Sequence, residues 1–259
     1  MTQPLYITTT VFLLIPSLTF AEEKEVGWSY EIIAGVEREA AYTGSNVYTS
    51  EFGGSFEATY TTPNGTEWSL GTQGLGVLFS LPQNFEAELT LEYEPGRDNA
   101  DDPILAGFPE MENTWELQGV LSREFGPYSI GVGLQTDILN KGKGTVGFVG
   151  VGYETQLSDR LGFSIGADVS WANAEHMTTE VGISPATAAA TGLPAYKATG
   201  GYKGATIDVG LAYAITDRST FFVEASVERY GSKMANSPLI KTHGSRTNTS
   251  IGMGLGFAF

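Results

Sequence analysis

Cysteine is absent from the 259-residue chain, which removes a disulfide framework, thiolate zinc sites and a cysteine nucleophile from consideration. Histidine is nearly absent, with only His176 and His243. A Ser-His-acid hydrolase would need one of them beside a poised hydroxyl, and both lie in or beside long polar segments where solvated loop residues are expected. Basic residues are scarce as well: 14 Lys and Arg stand against 30 Asp and Glu, a formal charge of -16. Nucleic acid is therefore not an expected partner, because a polyanion needs a basic stripe to displace its counterions. Zinc-protease spacing, a phosphate-cradling glycine loop and a dinucleotide fingerprint are all missing. The expectation is a non-enzymatic chain with no catalytic residues, no cofactor and no metal site. No apolar run approaches the ~20 residues of a spanning helix, so any membrane crossing must use strands.

One short apolar run opens the chain. Val11 to Phe20 end at Thr19-Phe20-Ala21, a small-x-small site followed by Glu22-Glu23-Lys24-Glu25. This reads as a removable export signal over residues 1–21, although its n-region has no Lys or Arg, and leaves 22–259 as a single unit.

What the chain has in excess is glycine, 33 of 259 residues or about one in eight, against roughly 7% in ordinary chains. The glycines fall into a strict alternation. Phe85, Ala87, Leu89, Leu91 and Tyr93 share one face of a strand, while Glu86, Glu88, Thr90, Glu92 and Glu94 share the other, the period-two signature of a strand with two environments. The last segment sets Ile251, Met253, Leu255, Phe257 and Phe259 against Gly252, Gly254, Gly256 and Ala258. Similar alternation predicts twelve strands, near 26–40, 47–60, 66–71, 74–81, 84–94, 114–125, 128–139, 145–157, 161–173, 204–216, 219–231 and 247–259. Ten strands are the alternative.

A soluble sandwich also alternates, but two features point to lipid. The polar faces carry small residues and acids while the apolar faces are uninterrupted, as in a barrel with a wet lumen. Tight connections such as Thr62-Pro63-Asn64-Gly65 and Ser158-Asp159-Arg160 also take turns with another class that includes the long segments 95–113, 174–203 and 232–246. Short turns on the periplasmic side and long loops outside are the outer-membrane pattern. The fold class is thus all-β, a closed antiparallel transmembrane barrel with long extracellular loops. Closure is forced because lipid offers no hydrogen-bond partner to an open edge. Trp28, Tyr60, Phe125, Tyr128, Phe221 and Phe257 fall near the short-turn ends, and Tyr93, Trp115 and Trp171 near the long-loop ends, as two interfacial girdles. Arg38, Arg123 and Arg229 share the lipid-facing parity, but each is close enough to a strand end to reach the headgroups.

Strand parity sends many acids inward. Glu31, Glu37, Glu86, Glu88, Glu92, Glu116, Glu154, Asp168, Asp208 and Glu224 lead the set, with Arg246 as one of few basic partners. Such a lumen must be wet or neutralised, and its field would concentrate cations such as metal ions, polyamines or polycationic solutes. Asp98, Asp101 and Asp102 offer oxygen ligands but lack the spacing and glycine of a calcium loop. Ser184 followed by Pro185 and alanines predicts a short capped helix in the longest loop, and that loop has the length to fold inward as a plug.

The chain ends in Phe257-Ala258-Phe259, resembling the signal that outer-membrane barrels present to their assembly machinery. Tyr93-Glu94-Pro95-Gly96-Arg97 leading to Asp102-Pro103-Ile104-Leu105, then Ser170-Trp171-Ala172-Asn173-Ala174, then Gly182-Ile183-Ser184-Pro185-Ala186 through to Gly192-Leu193-Pro194-Ala195-Tyr196, and finally Ser237-Pro238 and Gly244-Ser245, together resemble the MipA/OmpV family. The resemblance runs from about Trp28 to Phe259. It implies a Gram-negative outer-membrane barrel that contacts outer-membrane lipid and the assembly machinery, and that acts as a scaffold for a lytic murein transglycosylase and a murein synthase. A cation-attracting channel for small or polycationic solutes and a surface adhesin are the alternatives.

Overall fold

The computed structural model describes residues 25–99 and 102–259. The expected export signal over 1–21 and Asp101 lie outside them.

Twelve strands form one closed antiparallel ring, which sets aside the ten-strand alternative. They are β1 (Gly27–Ala40), β2 (Tyr48–Thr61), β3 (Glu67–Gly71), β4 (Gly74–Leu81), β5 (Phe85–Glu94), β6 (Thr114–Phe125), β7 (Tyr128–Asp137), β8 (Thr145–Ser158), β9 (Leu161–Ala172), β10 (Gly201–Thr216), β11 (Ser219–Tyr230) and β12 (Thr247–Ala258). Every sequential pair is hydrogen-bonded, and β1 pairs with β12 to shut the seam, where Glu31 lies opposite Ala258 and Gly35 opposite Gly254. The terminal residue joins the seam too, since the Phe259 N–H donates to the Tyr30 carbonyl at 2.9 Å.

Strand ends differ from expectation at a few places, each with a local cause. β7 stops at Asp137 instead of residue 139 because the Asp137 carboxylate accepts the backbone N–H groups of Leu139 at 3.0 Å and Lys141 at 2.5 Å, curling the chain away. β10 begins earlier, at Gly201, with an irregularity between Tyr202 and Gly204 that keeps it in register with β9.

The distribution of burial is inverted relative to a soluble protein. Outward positions carry Trp28, Ile32, Val36, Leu89, Val132, Leu134, Val151, Ile207 and Met253, all exposed. A continuous apolar belt of this kind has a physical home only in hydrocarbon. Among the described residues no helix is long and apolar enough to cross a membrane, so the strands are the crossing elements. Paired rings edge the belt: Trp28 with Tyr60 at 5.2 Å and Tyr128 with Tyr153 at 5.1 Å near the turn end, Tyr93 with Trp115 at 5.7 Å and Trp171 with Tyr202 at 6.4 Å near the loop end. The outward arginines sit at these edges as expected. The Arg123 guanidinium stacks on Phe125 at 4.6 Å and donates to the Gln83 carbonyl at 3.1 Å, and Arg38 lies over Tyr48 at 5.6 Å. Near an interface an outward arginine costs little, about 0–1 kcal/mol, against ~2–4 at the midplane.

Inside, glycines make room for rings. Phe148 on β8 lies over Gly133 on β7, where a Cβ would sit 2.3 Å from the ring, and Phe222 on β11 covers Gly254 on β12 in the same way at 2.5 Å. Cross-strand ring-on-glycine packing pins register.

Candidate functional site: an acidic lumen beneath a loop cap

The buried apolar core lies in the loops at one end rather than in the barrel. Four helices form there: α1 (Ala174–Val181), α2 (Pro185–Thr191), α3 (Ser232–Ala235) and α4 (Pro238–His243). The expected helix after Ser184 is α2, with the Ser184 hydroxyl accepting from the Thr187 N–H at 3.0 Å. α1 was not anticipated, although Asn173 caps it by accepting from the His176 N–H at 2.9 Å, an arrangement visible in principle as an Asn before helix formers.

These helices and the neighbouring loops form a lid. Tyr42, Leu105, Phe108, Ile183, Leu193 and Leu239 pack into one cluster. Tyr42 follows β1, Leu105 and Phe108 follow β5, and Ile183 and Leu193 follow β9. Those hairpins are each four strands apart on a twelve-strand ring, so a cluster that contains all three must lie across the mouth and not beside it. A second cluster joins Met177 and Val181 of α1 to Met234 and Ile240 of the last loop and to Ala172 and Tyr230 of the wall. Polar ties complete the cap. Asn248 of β12 accepts the Gly44 N–H at 2.8 Å and donates to the Ser45 carbonyl at 2.7 Å, and the Ser237 hydroxyl donates to the Val181 carbonyl at 2.7 Å.

Directly beneath the cap the charges are matched. Lys143 reaches Glu94 at 2.9 Å and the Pro95 carbonyl at 2.5 Å, and Lys203 reaches Glu228 at 2.8 Å. Neither lysine was expected as a lumen cation. Arg246, which was, is exposed just before β12, with its guanidinium on the Tyr230 carbonyl at 2.9 Å. In α1, burial pushes the Glu180 carboxyl up, but His176, Arg97, the Thr43 side chain and Lys143 outweigh it and hold the group below the usual range. Burial holds His176 below its usual value, against the pull of Glu180. Its Nδ1 lies 2.8 Å from the Lys143 carbonyl and must donate, because a carbonyl only accepts; Nε2 is buried without a hydrogen-bond partner among the described residues.

Along the rest of the lumen the acids are not matched in this way. The alternation places Glu31, Glu37, Glu86, Glu88, Glu92, Glu116, Glu154, Asp168, Asp208 and Glu224 on the face opposite the exposed apolar belt. Several meet across strands: Glu31 is opposite Glu57 toward the turn end and Glu37 opposite Glu51 toward the loop end, while Glu92, Glu116 and Asp137 form a row over three strands just beneath the cap, where Lys143 is close by. Among the described residues the basic side chains ion-paired to wall acids are Lys143 and Lys203, both at the capped end. Like charges directly opposite, as at Glu31 and Glu57, are destabilising unless solvated, so the lumen away from the two lysines must hold water and mobile cations. Asp102 is used differently: it caps a turn by accepting the Ile104 N–H at 2.9 Å. No group of three or more His, Cys, Asp or Glu placed to hold a metal ion occurs among the described residues. His243 ends α4.

Closed ring, apolar belt, paired aromatic edges and wet acidic interior define a β-barrel of the outer-membrane type. The chain belongs to the MipA family: the family model, described as MltA-interacting protein MipA, matches residues 32–259. Among solved structures, an outer membrane channel from Pseudomonas putida F1 superposes with a TM-score of 0.54 at 9% identity, covering 93% of this chain and 98% of that one. The toluene transporter TbuX of Ralstonia pickettii gives 0.42 at 10% identity, covering 90% of this chain and 89% of that one. At these identities the likeness to the channel concerns the fold alone. No curated protein matches the chain.

Proposed function

We propose that the protein is an outer-membrane barrel that serves as a scaffold for murein-remodelling enzymes, with its capped end outward and its short turns toward the periplasm. Membership of a family described by an interaction with MltA supports this reading, and the observation that carries it is the cap. A mouth crossed by two packed apolar clusters suits a holding role better than free diffusion along the axis. The surface left for enzymes is the turn end, including the exposed Trp28 beside Glu25. Capture of a lytic murein transglycosylase and a murein synthase by the intact, vesicle-embedded protein is expected, with weaker capture by Trp28→Ala. No capture by the intact protein would end the scaffold reading.

The facing carboxylates favour a second reading, a cation-attracting channel that conducts when the cap moves. Planar-bilayer recording at neutral pH tests it, since persistent silence after cap disruption, or anion selectivity, would rule it out.

A further inference from the structure

The ring is complete at its turn end but not along its whole height. β3 and β4 have only 5 and 8 residues, whereas β2 between them and β1 has 14. β2 pairs with β3 through Glu57–Thr61 only, while its pairing with β1 continues to Tyr48. The β3–β4 hairpin turns at Thr72 and Gln73, held by Thr72 N–H on the Phe56 carbonyl and Tyr93 N–H on the Gln73 carbonyl, both at 2.9 Å. Beyond that tip, residues 48–55 of β2 have no backbone partner on the side away from β1 among the described residues. The open edge is about 26 Å long at ~3.3 Å per residue; β4 covers β5 as far as Glu92 and Gln73 meets Tyr93, so the gap is bounded by the β2 edge, the β3–β4 tip and the end of β5.

The gap opens within the lipid belt. Phe52 lies on this edge opposite Val36, and at 78% it is the most exposed of the large apolar residues. An unpaired edge facing hydrocarbon costs several kcal/mol per backbone group, so polar atoms must meet it from somewhere. Behind it, on the inward parity, stand Glu51 with Glu37 opposite, and Glu92 at the base of the gap, opposite Gly74 beside the hairpin tip. Above it the axial exit is shut by the cap.

We propose that this gap is a lateral portal through which a long-chain amphipath with a cationic head passes between the surrounding lipid and the lumen. The tail stays along Phe52, Leu70 and Leu75, all exposed on the belt. The head group meets Glu51, Glu37 and Glu92 by charge in place of bulk counterions, and the water that enters with it solvates the β2 edge. A barrel closed at its mouth and breached in its wall exchanges molecules sideways. The proposal rests on the membrane placement above but not on the scaffold role.

The chain's lack of cysteine makes the test direct. Ser55→Cys, an inward position at the lower corner of the gap, carries a fluorophore in protein reconstituted in phosphatidylcholine vesicles. Quenchers are a hexadecyl-dimethylammonium nitroxide with the spin label at the head, its trimethylammonium counterpart without the chain, and a hexadecyl phosphate nitroxide. Saturable quenching by the long-chain cation is expected, at least fivefold stronger than by either other probe at equal bound or free concentration. It should weaken several-fold in Glu51→Gln/Glu92→Gln and leave a label at Ser129→Cys, inward on β7 near the turn end, untouched. Equal quenching by the chainless cation, equal quenching of the Ser129→Cys label, or none at all, would overturn the portal. A folded-barrel band in unheated electrophoresis confirms each variant's fold. Failure to float with vesicles would instead sink the membrane placement itself.

Discussion

The two ends of the barrel are built on opposite principles. At the loop end, buried apolar residues from hairpins a third of the ring apart pack together, and Glu94 and Glu228 each meet a lysine. At the turn end Glu31 faces Glu57 with no cation acting on it among the described residues, and the connections are too short to pack on anything. One end holds together by exclusion of water, the other depends on its presence. The same residue type therefore has opposite energetic meaning at the two ends, and substitutions separate the cases.

The largest effect is expected at the cap. Leu105, Met177 and Leu239 are fully buried, and truncating such a side chain to alanine costs about 2–5 kcal/mol. Because the wall has its own hydrogen-bond ring, Leu239→Asp should open the cap without unfolding the barrel. Limited proteolysis should then cut residues 174–200 and 231–246 while the folded band in unheated electrophoresis persists, and loss of both together would show that cap and wall are one cooperative unit. Next comes a matched pair of neutralisations. Glu94→Gln strands Lys143 and should destabilise by roughly 1–3 kcal/mol, the worth of a charge-assisted hydrogen bond. Glu57→Gln relieves a like-charge pair and should stabilise by ~0.2–1 kcal/mol. Urea unfolding in lipid reads both signs, and the same sign for both would erase the distinction between the ends.

Acidification should act on the cap first. His176 is held below its usual value, so the unfolded chain takes up that proton more readily. The stability it confers is complete above the unfolded value of about 6.5 and is lost as pH falls below it. Glu180, also lowered, acts in the same direction: its contribution is full above the ordinary carboxylate range and disappears as pH drops through it. Protection against hydrogen exchange in α1, taken relative to the intrinsic rate at each pH, should fall below about pH 6.5, while β6 and β7 keep theirs, and His176→Gln should flatten the upper part of that profile. The smallest effect belongs to the turn-end rim, where Arg123→Ala loses its ring contacts and should cost about 0.5–1 kcal/mol.

The sequence pattern revealed the wall and hid the cap for a physical reason. Alternation is local, so Phe85 to Glu94 announces a two-faced strand by itself, and all twelve segments appear where expected within three residues at either end. The cap depends on clusters of distant residues, one of which holds both Tyr42 and Leu239, and no short window contains both. Lys143 and Lys203 were missed as partners because one sits in a loop and the other beside an irregularity in β10, where parity arguments lose their grip. The brevity of β3 and β4 was plain in the sequence, but the breach it leaves emerges only when ring order shows that longer strands flank them.

The seam between β1 and β12 sets the order of events in the protein's biogenesis. Its two halves are the first and last strands, so closure brings together segments more than two hundred residues apart, from Gly27–Ala40 to Thr247–Ala258. Such distant contacts carry the largest loop-closure entropy and form slowly. The wall therefore cannot finish during synthesis: the whole chain must be delivered and kept from aggregating first, and a truncation of a few C-terminal residues would be felt as an assembly failure rather than as a local loss of stability.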